Sequence, residues 1–138
     1  MQHFSLIFWL VTFALCSSLS AQDCLQPFGK WVNDNGSVLE VSERNDRAQI
    51  LGNYRSHEGT EGQGFEVLGW WPVGDTVAVS FSVYWSPYGT LTSWTGMCKE
   101  GQLEVLWHHV DPKPRFDFQQ WSTQRSIFLP LSDKADSK

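Results

Sequence analysis

Residues 76–94, TVAVSFSVYWSPYGTLTSW, constrain this chain more than any other stretch. They read as the two strands of a β-hairpin. On the first strand Val77, Val79, Phe81, Val83 and Trp85 share one face, while Ala78, Ser80, Ser82 and Tyr84 share the other, because strand side chains alternate. Ser86-Pro87-Tyr88-Gly89 carries a proline that fixes φ and a glycine that accepts positive φ, so it forms the connection. On the returning strand Thr90, Thr92 and Trp94 fall on one face. With Trp85 and Trp94 pointing inward, the hydroxyls of Thr90 and Thr92 lie between two indoles on one wall. An aromatic surface carrying a few fixed hydrogen-bonding groups suits a small, flat, polar-headed guest.

The rest of the chain reads as strand after strand, with no long helix. Gly29 to Asn33 is a short strand with Trp31 and Asn33 on one face, turned by Asp34-Asn35-Gly36-Ser37. Val38, Glu40 and Ser42 then alternate against Leu39 and Val41, and a polar turn at 43–46 leads to a third strand over 48–56. On it Ile50, Gly52, Tyr54 and Ser56 share a face, and Gly52 inside a strand signals a bulge or bend. The glycine-rich stretch 57–64 is a loop, 65–71 the fourth strand, 102–110 the seventh and 119–131 the eighth. On the seventh, Leu103, Val105, Trp107 and His109 oppose Glu104, Leu106 and His108.

The ends read differently. Residues 4–15, FSLIFWLVTFAL, followed by small residues to Ala21, have the pattern of a secretory signal with cleavage after Ser20 or Ala21. A membrane anchor would need about 20 apolar residues. The expected division is therefore a signal peptide at 1–21, one β domain at 22–131 and a flexible charged tail at 132–138, with the mature protein exported. Cys24 and Cys98 are the two cysteines beyond the signal. An even pair in an exported chain reads as a disulfide, closing a loop of about 75 residues worth about 4 kcal/mol; two buried free thiols are the alternative. The formal net charge of −5 argues against nucleic acid or an anionic membrane as partner.

About eight short strands with regular turn signals define an all-β sandwich or an up-and-down barrel. The eight-stranded antiparallel up-and-down β-barrel is the expected fold, because meander connectivity returns the last strand to the first and removes both edges. A barrel of that size holds side chains or one small ligand. Inward parity gathers Asn33, Tyr54, Ser56, Trp85, Thr90, Thr92, Trp94 and Trp107. As plain core, these polar groups would be buried without partners, which is costly. A guest that pairs with them resolves the conflict.

The chain resembles the avidin and streptavidin family. The matching pieces are Gly29-Lys30-Trp31 with Asn33 and Gly36-Ser37, then Gly52-Asn53-Tyr54 with Ser56, then Val83-Tyr84-Trp85. They continue with TLTSWTG at 90–96, Trp107, and Trp121 with Ser122-Thr123, in family order over nearly the whole chain after the signal. Cys24 and Cys98 also fall where avidin, though not streptavidin, carries its disulfide. The resemblance implies reversible, non-catalytic binding of biotin, with no cofactor. It implies that Asn33, Ser37 and Tyr54 donate to the ureido oxygen, while Ser56 accepts from a ureido N–H. Thr92 would face the thioether sulfur. Thr90, with backbone from Gly59 and Thr60, would meet the valerate carboxylate, and Trp85, Trp94 and Trp107 would box the rings and tail. Trp121 is the tryptophan the family lends across a subunit interface, so a homo-oligomer, dimer or tetramer, is implied.

Three departures stand out. The family's carboxylate or amide on the last strand is replaced: one alignment puts Leu129 there, and another, aligning Phe128 with the family's aromatic, puts Ser126 there. Asn35 and His109 occupy positions that are usually apolar. Trp70 and Trp71 have no evident counterpart. Two rival functions fit less well. A lipocalin-like carrier would want a longer chain and a greasier interior. A metal hydrolase built on His57, His108, His109 and Glu104 fails because adjacent His108 and His109 face opposite sides of a strand.

Overall fold

The hairpin at the centre of the sequence is also the longest paired element of the structure. In the computed structural model, which describes residues 22–57, 62–86 and 88–131, β5 (Thr76–Trp85) and β6 (Thr90–Lys99) pair without interruption from Thr76↔Lys99 to Trp85↔Thr90. Before them come β1 (Gly29–Asn33), β2 (Val38–Arg44), β3 (Gln49–Arg55) and β4 (Gly64–Trp70); after them, β7 (Gln102–Val110) and β8 (Trp121–Pro130). Each strand pairs antiparallel with its sequence neighbour, and β8 returns to β1 through Trp31↔Pro130, Val32↔Leu129 and Asn33↔Phe128. The result is the closed eight-stranded barrel expected from the turn spacing, and closure leaves no unpaired edge. The expected signal peptide at 1–21 and tail at 132–138 lie outside the described residues.

Strand ends shift for local reasons. The third strand begins at Gln49, not Ala48, because Ala48 takes a positive φ of 62°. The Asn45 side-chain oxygen shapes that turn by accepting from the backbone N–H of Arg47 and Gln49 at 2.9 and 3.0 Å. The eighth strand starts at Trp121, not at 119: Asp117–Gln119 forms a single 3₁₀ turn, and the Gln120 N–H closes it on the Asp117 carbonyl. The irregularity expected at Gly52 lies on the neighbouring strand. The β2–β3 register slips between Val41, which pairs with Gly52, and Glu43, which pairs with Leu51, so the extra residue is Ser42. A Cβ at Gly52 would sit 1.9 Å from the Glu40 carbonyl oxygen, so the glycine permits the close approach that the bulge creates.

Inward residues away from the open end fill the barrel with an apolar core: Trp31, Leu39, Val41, Ile50, Val67, Val79, Phe81, Val83, Leu103, Val105 and Phe128 are all buried. Trp71, which had no sequence counterpart, completes this floor. Its ring lies 5.2 Å from that of Trp31. Both indole N–H groups donate to carbonyls of the N-terminal segment, Trp31 to Pro27 at 2.8 Å and Trp71 to Cys24 at 3.0 Å. Trp70 points the other way and is 56% exposed. Cys24 and Cys98 form a disulfide, with Cα atoms 5.5 Å apart, that pins this segment to β6.

Candidate functional site

The other end of the barrel is not filled. A cavity of about 430 Å³ opens between the β1–β2 turn, the end of β3, the β5–β6 connection and the inner face of β7. Nine of the residues singled out from sequence line it: Asn33, Ser37, Tyr54, Ser56, Trp85, Thr90, Thr92, Trp94 and Trp107. They come from five strands and a turn, so no local stretch builds the site. Barrel closure brings β1 to β8 and carries the two halves of the lining to one mouth.

Each polar tip is oriented by the fold. The Asn33 side-chain oxygen accepts from the backbone N–H of Asn35 at 3.0 Å and of Ser37 at 2.8 Å. Two N–H donors require oxygen at that position, so the amide NH₂ is the end left to serve the cavity. Ser37 Oγ accepts from the His57 N–H at 3.1 Å, which leaves the hydroxyl proton to donate. Burial pushes the Tyr54 phenol up to about 12; a hydrogen bond from Ser37 opposes the shift and the Asp34 charge adds to it. Tyr54 is therefore a neutral O–H donor throughout the physiological range. The three groups thus lie side by side, and because Ser37 and Tyr54 share a hydrogen bond, one of their two protons is spent between them while the other, with the Asn33 amide, serves the cavity.

The apolar part of the wall is equally fixed. Tyr54 packs on Trp94 at 4.8 Å and meets Trp85 edge-on at 5.8 Å. Phe65 supports Trp85 and Phe81 stacks flat on Trp94, each at 4.8 Å. Trp107 stands opposite Trp94 in the β6–β7 register. Such packing holds the indoles in one orientation before any guest arrives. Behind them runs a hydrogen-bonded chain: Trp85 Nε1 donates to Thr92 Oγ1 at 2.7 Å, and the same oxygen is 2.7 Å from His109 Nδ1. Burial lowers the His109 imidazole below its ordinary 6.5, with the Asp111 charge opposing.

Two described candidates, Ser126 and Trp121, do not join this lining. Ser126 faces inward on β8 and is 2% exposed, but it lies among the core side chains rather than on the cavity wall. Leu129 faces out at 45% exposure, so of the two alignments for the last strand the structure puts Ser126 inside. Trp121, first residue of β8, is 70% exposed and faces away from its own cavity. Thr60 lies outside the described residues. Conversely, Asn35, Tyr88 and His109 line the cavity and were not among the candidates. Inward parity with Trp107 pointed to His109; Tyr88 sits in a turn, where no periodicity could reveal it. His108 faces outward, with Nδ1 2.9 Å from Thr123 Oγ1, so the two adjacent histidines do not converge.

Fold and cavity together define a class: a small closed β-barrel with one open, tryptophan-walled, polar-tipped cavity. Comparison with known proteins narrows it. The sequence profile of the Avidin family matches residues 21–126, most of the chain. This protein belongs to the avidin family. Among solved structures it is similar to bradavidin, at 29% identity and a TM-score of 0.65, covering 77% of this chain and 82% of that one. It is also similar to a biotin complex of a shwanavidin variant, at 27% identity and a TM-score of 0.60, covering 73% of this chain and 92% of that one. Xenavidin shares the fold at 19% identity with a TM-score of 0.66, over 76% and 97% of the two chains. Comparison with curated protein sequences finds no match.

Proposed function

We propose that this protein is a secreted, non-catalytic biotin-binding protein that holds the vitamin in the open end of its barrel. The observation that carries the reading is the convergence of the Asn33 amide, the Ser37 hydroxyl and the Tyr54 phenol on one side of a cavity whose other walls are Trp85, Trp94 and Trp107. A urea carbonyl is a strong, planar acceptor that can receive several donors at once, and a fused bicycle with an alkyl tail fills an indole box. Ser56 supplies an acceptor for one ureido N–H, and Thr90 at the mouth a hydroxyl for the carboxylate. The biotin bound in the shwanavidin variant supports the choice of ligand.

Two features qualify the strength and the assembly. Ser126, a neutral hydroxyl, stands on the last strand where the family usually has a carboxylate or amide, so the second ureido N–H loses that acceptor, at a cost of about 1–3 kcal/mol where it is left unsatisfied. The affinity therefore sits below the family's tightest. Trp121, exposed in the single chain, caps the cavity of a neighbouring subunit in a homo-oligomer, dimer or tetramer. The N-terminal segment directs export, which suits the disulfide.

Calorimetric titration of the oxidised protein with biotin tests the reading. Saturable heat at one site per chain, with a rise in melting temperature on ligand addition, is the expected result. No heat and no shift in melting temperature would end the proposal.

A further inference from the structure

An imidazole borders the cavity, and the inference drawn from it rests on the biotin reading above. His109 is half-buried on β7 with Nδ1 2.7 Å from Thr92 Oγ1. That oxygen already accepts from Trp85 Nε1. An indole N–H only donates, so the Thr92 hydroxyl has one lone pair and one proton left for His109. A neutral imidazole with its hydrogen on Nε2 takes that proton on Nδ1. An imidazolium carries hydrogen on both nitrogens, must donate to the remaining lone pair, and turns the Thr92 proton away. The charge on one ring therefore sets the direction of the Thr92–His109 hydrogen bond, while Trp85 donates to Thr92 in either state.

The surroundings offer that charge little. The register partners of His109 are Thr92 on β6 and Ser122 on β8. The other inward residues nearby, Thr90 and Trp94 on β6, Trp107 on β7, and Gln124 and Ser126 on β8, carry no charge. Across the cavity Tyr54 remains a neutral phenol, and Tyr88 at the turn is the other phenol on the wall. His108 and the Glu104–Arg125 pair belong to the outer face. The charge that acts on the ring is Asp111, in the loop after β7, and its pull is weaker than the opposing effect of burial. A guest lying over the Thr92–His109 pair removes the water that still reaches the ring. An imidazolium would then lose hydration that nothing among the described inward residues replaces.

We propose that His109 is a specificity-determining residue: the cavity accepts a ligand whose uncharged, apolar portion covers the Thr92–His109 pair only with the imidazole neutral, so binding in acid expels a proton and affinity falls as pH falls. The proton leaves His109 for solvent, and the Thr92 hydroxyl swings back to donate to Nδ1. The chain then favours release in acidic surroundings and capture near neutrality.

Biotin amide is the informative probe, because its tail bears no carboxylate to compensate a charge on the ring. Calorimetry on the oxidised protein at about pH 7.5 and about pH 5.5, each in buffers of different ionisation enthalpy, reads the proton count directly. Expected are no proton exchange at the higher pH, net proton release at the lower, and a Kd that rises by at most about tenfold per pH unit between them. His109→Leu should abolish the release, as should His109→Gln, which keeps a polar group beside Thr92 without titrating. Binding with no proton release in the native protein, or equal release in both variants, overturns this inference alone; no binding at the higher pH overturns it together with the biotin reading. Without any ligand, the Trp85 indole N–H resonance should follow the His109 titration and lose that response in His109→Leu. An indole signal indifferent to pH overturns the hydrogen-bonded chain.

Discussion

Both ends of the barrel are built from tryptophan, with opposite treatment of the polar tip. At the floor, Trp31 and Trp71 pack on each other and give their N–H groups to the Pro27 and Cys24 carbonyls, so both indoles are satisfied inside the protein. At the mouth, Trp85 gives its N–H to Thr92, while Trp94 and Trp107 frame space rather than fill it. Around them Asn33, Ser37 and Tyr54 are held by backbone and neighbours in a way that leaves donors directed at the cavity. The same residue type thus serves stability at one end and recognition at the other. What distinguishes them is whether the adjoining polar groups are satisfied within the chain.

That contrast can be broken by experiment. Trp71→Ala should remove about 3–5 kcal/mol of stability, as truncation of a fully buried aromatic does, measured as a lower denaturant midpoint. A loss under about 1 kcal/mol would mean the floor is not the stabilising end. Tyr54→Phe keeps the ring contact with Trp94 and deletes the hydroxyl. It should lower the stability of the free protein by only about 1 kcal/mol, through loss of the Ser37 hydrogen bond, and weaken biotin binding by about 1–3 kcal/mol, roughly ten- to a hundredfold. Unaltered binding would remove Tyr54 from the proposed donor set. Trp121→Ala should speed biotin dissociation without destabilising the chain, since the indole is exposed in the single subunit; an unchanged off-rate rules out the shared cap.

The smallest effect concerns acid. Burial holds the folded-state pKa of His109 below its ordinary 6.5, so the unfolded chain takes up this proton first. The stability associated with neutral His109 is fully present above 6.5 and is lost as pH falls through the lowered value. Melting temperature should decline over that window less steeply in His109→Leu than in the native protein. Parallel profiles would locate the acid sensitivity elsewhere, away from the mouth.

Much of this was legible in the sequence. Alternation in 76–94 gave both faces of β5 and β6, and the turn residues gave a meander that could close. The misreadings are local and have local causes. The bulge expected at Gly52 sits on β2 at Ser42, because a glycine can mark the strand that yields room instead of the strand that bulges. The start of β8 was placed too early because Asp117–Gln119 carries no turn signature beyond polarity. Trp71 looked anomalous beside Trp70, yet simple alternation assigns one to each side of the wall.

Period-two patterning by itself determined which side chains face inward, since a strand cannot place neighbours on the same side. The amino-acid sequence also held the two cysteines available to bridge and the motifs that carry the family resemblance. How far along the barrel each inward residue lies was decided by tertiary structure alone. Asn33, Tyr54, Thr92 and His109 are far apart in the chain and reach one mouth only after β8 pairs with β1. The same closure leaves Ser126, with the same inward parity, among core side chains instead of on the cavity wall. Alternation specifies a face and says nothing of depth; depth comes from the register that eight strands accept when the ring of hydrogen bonds must close.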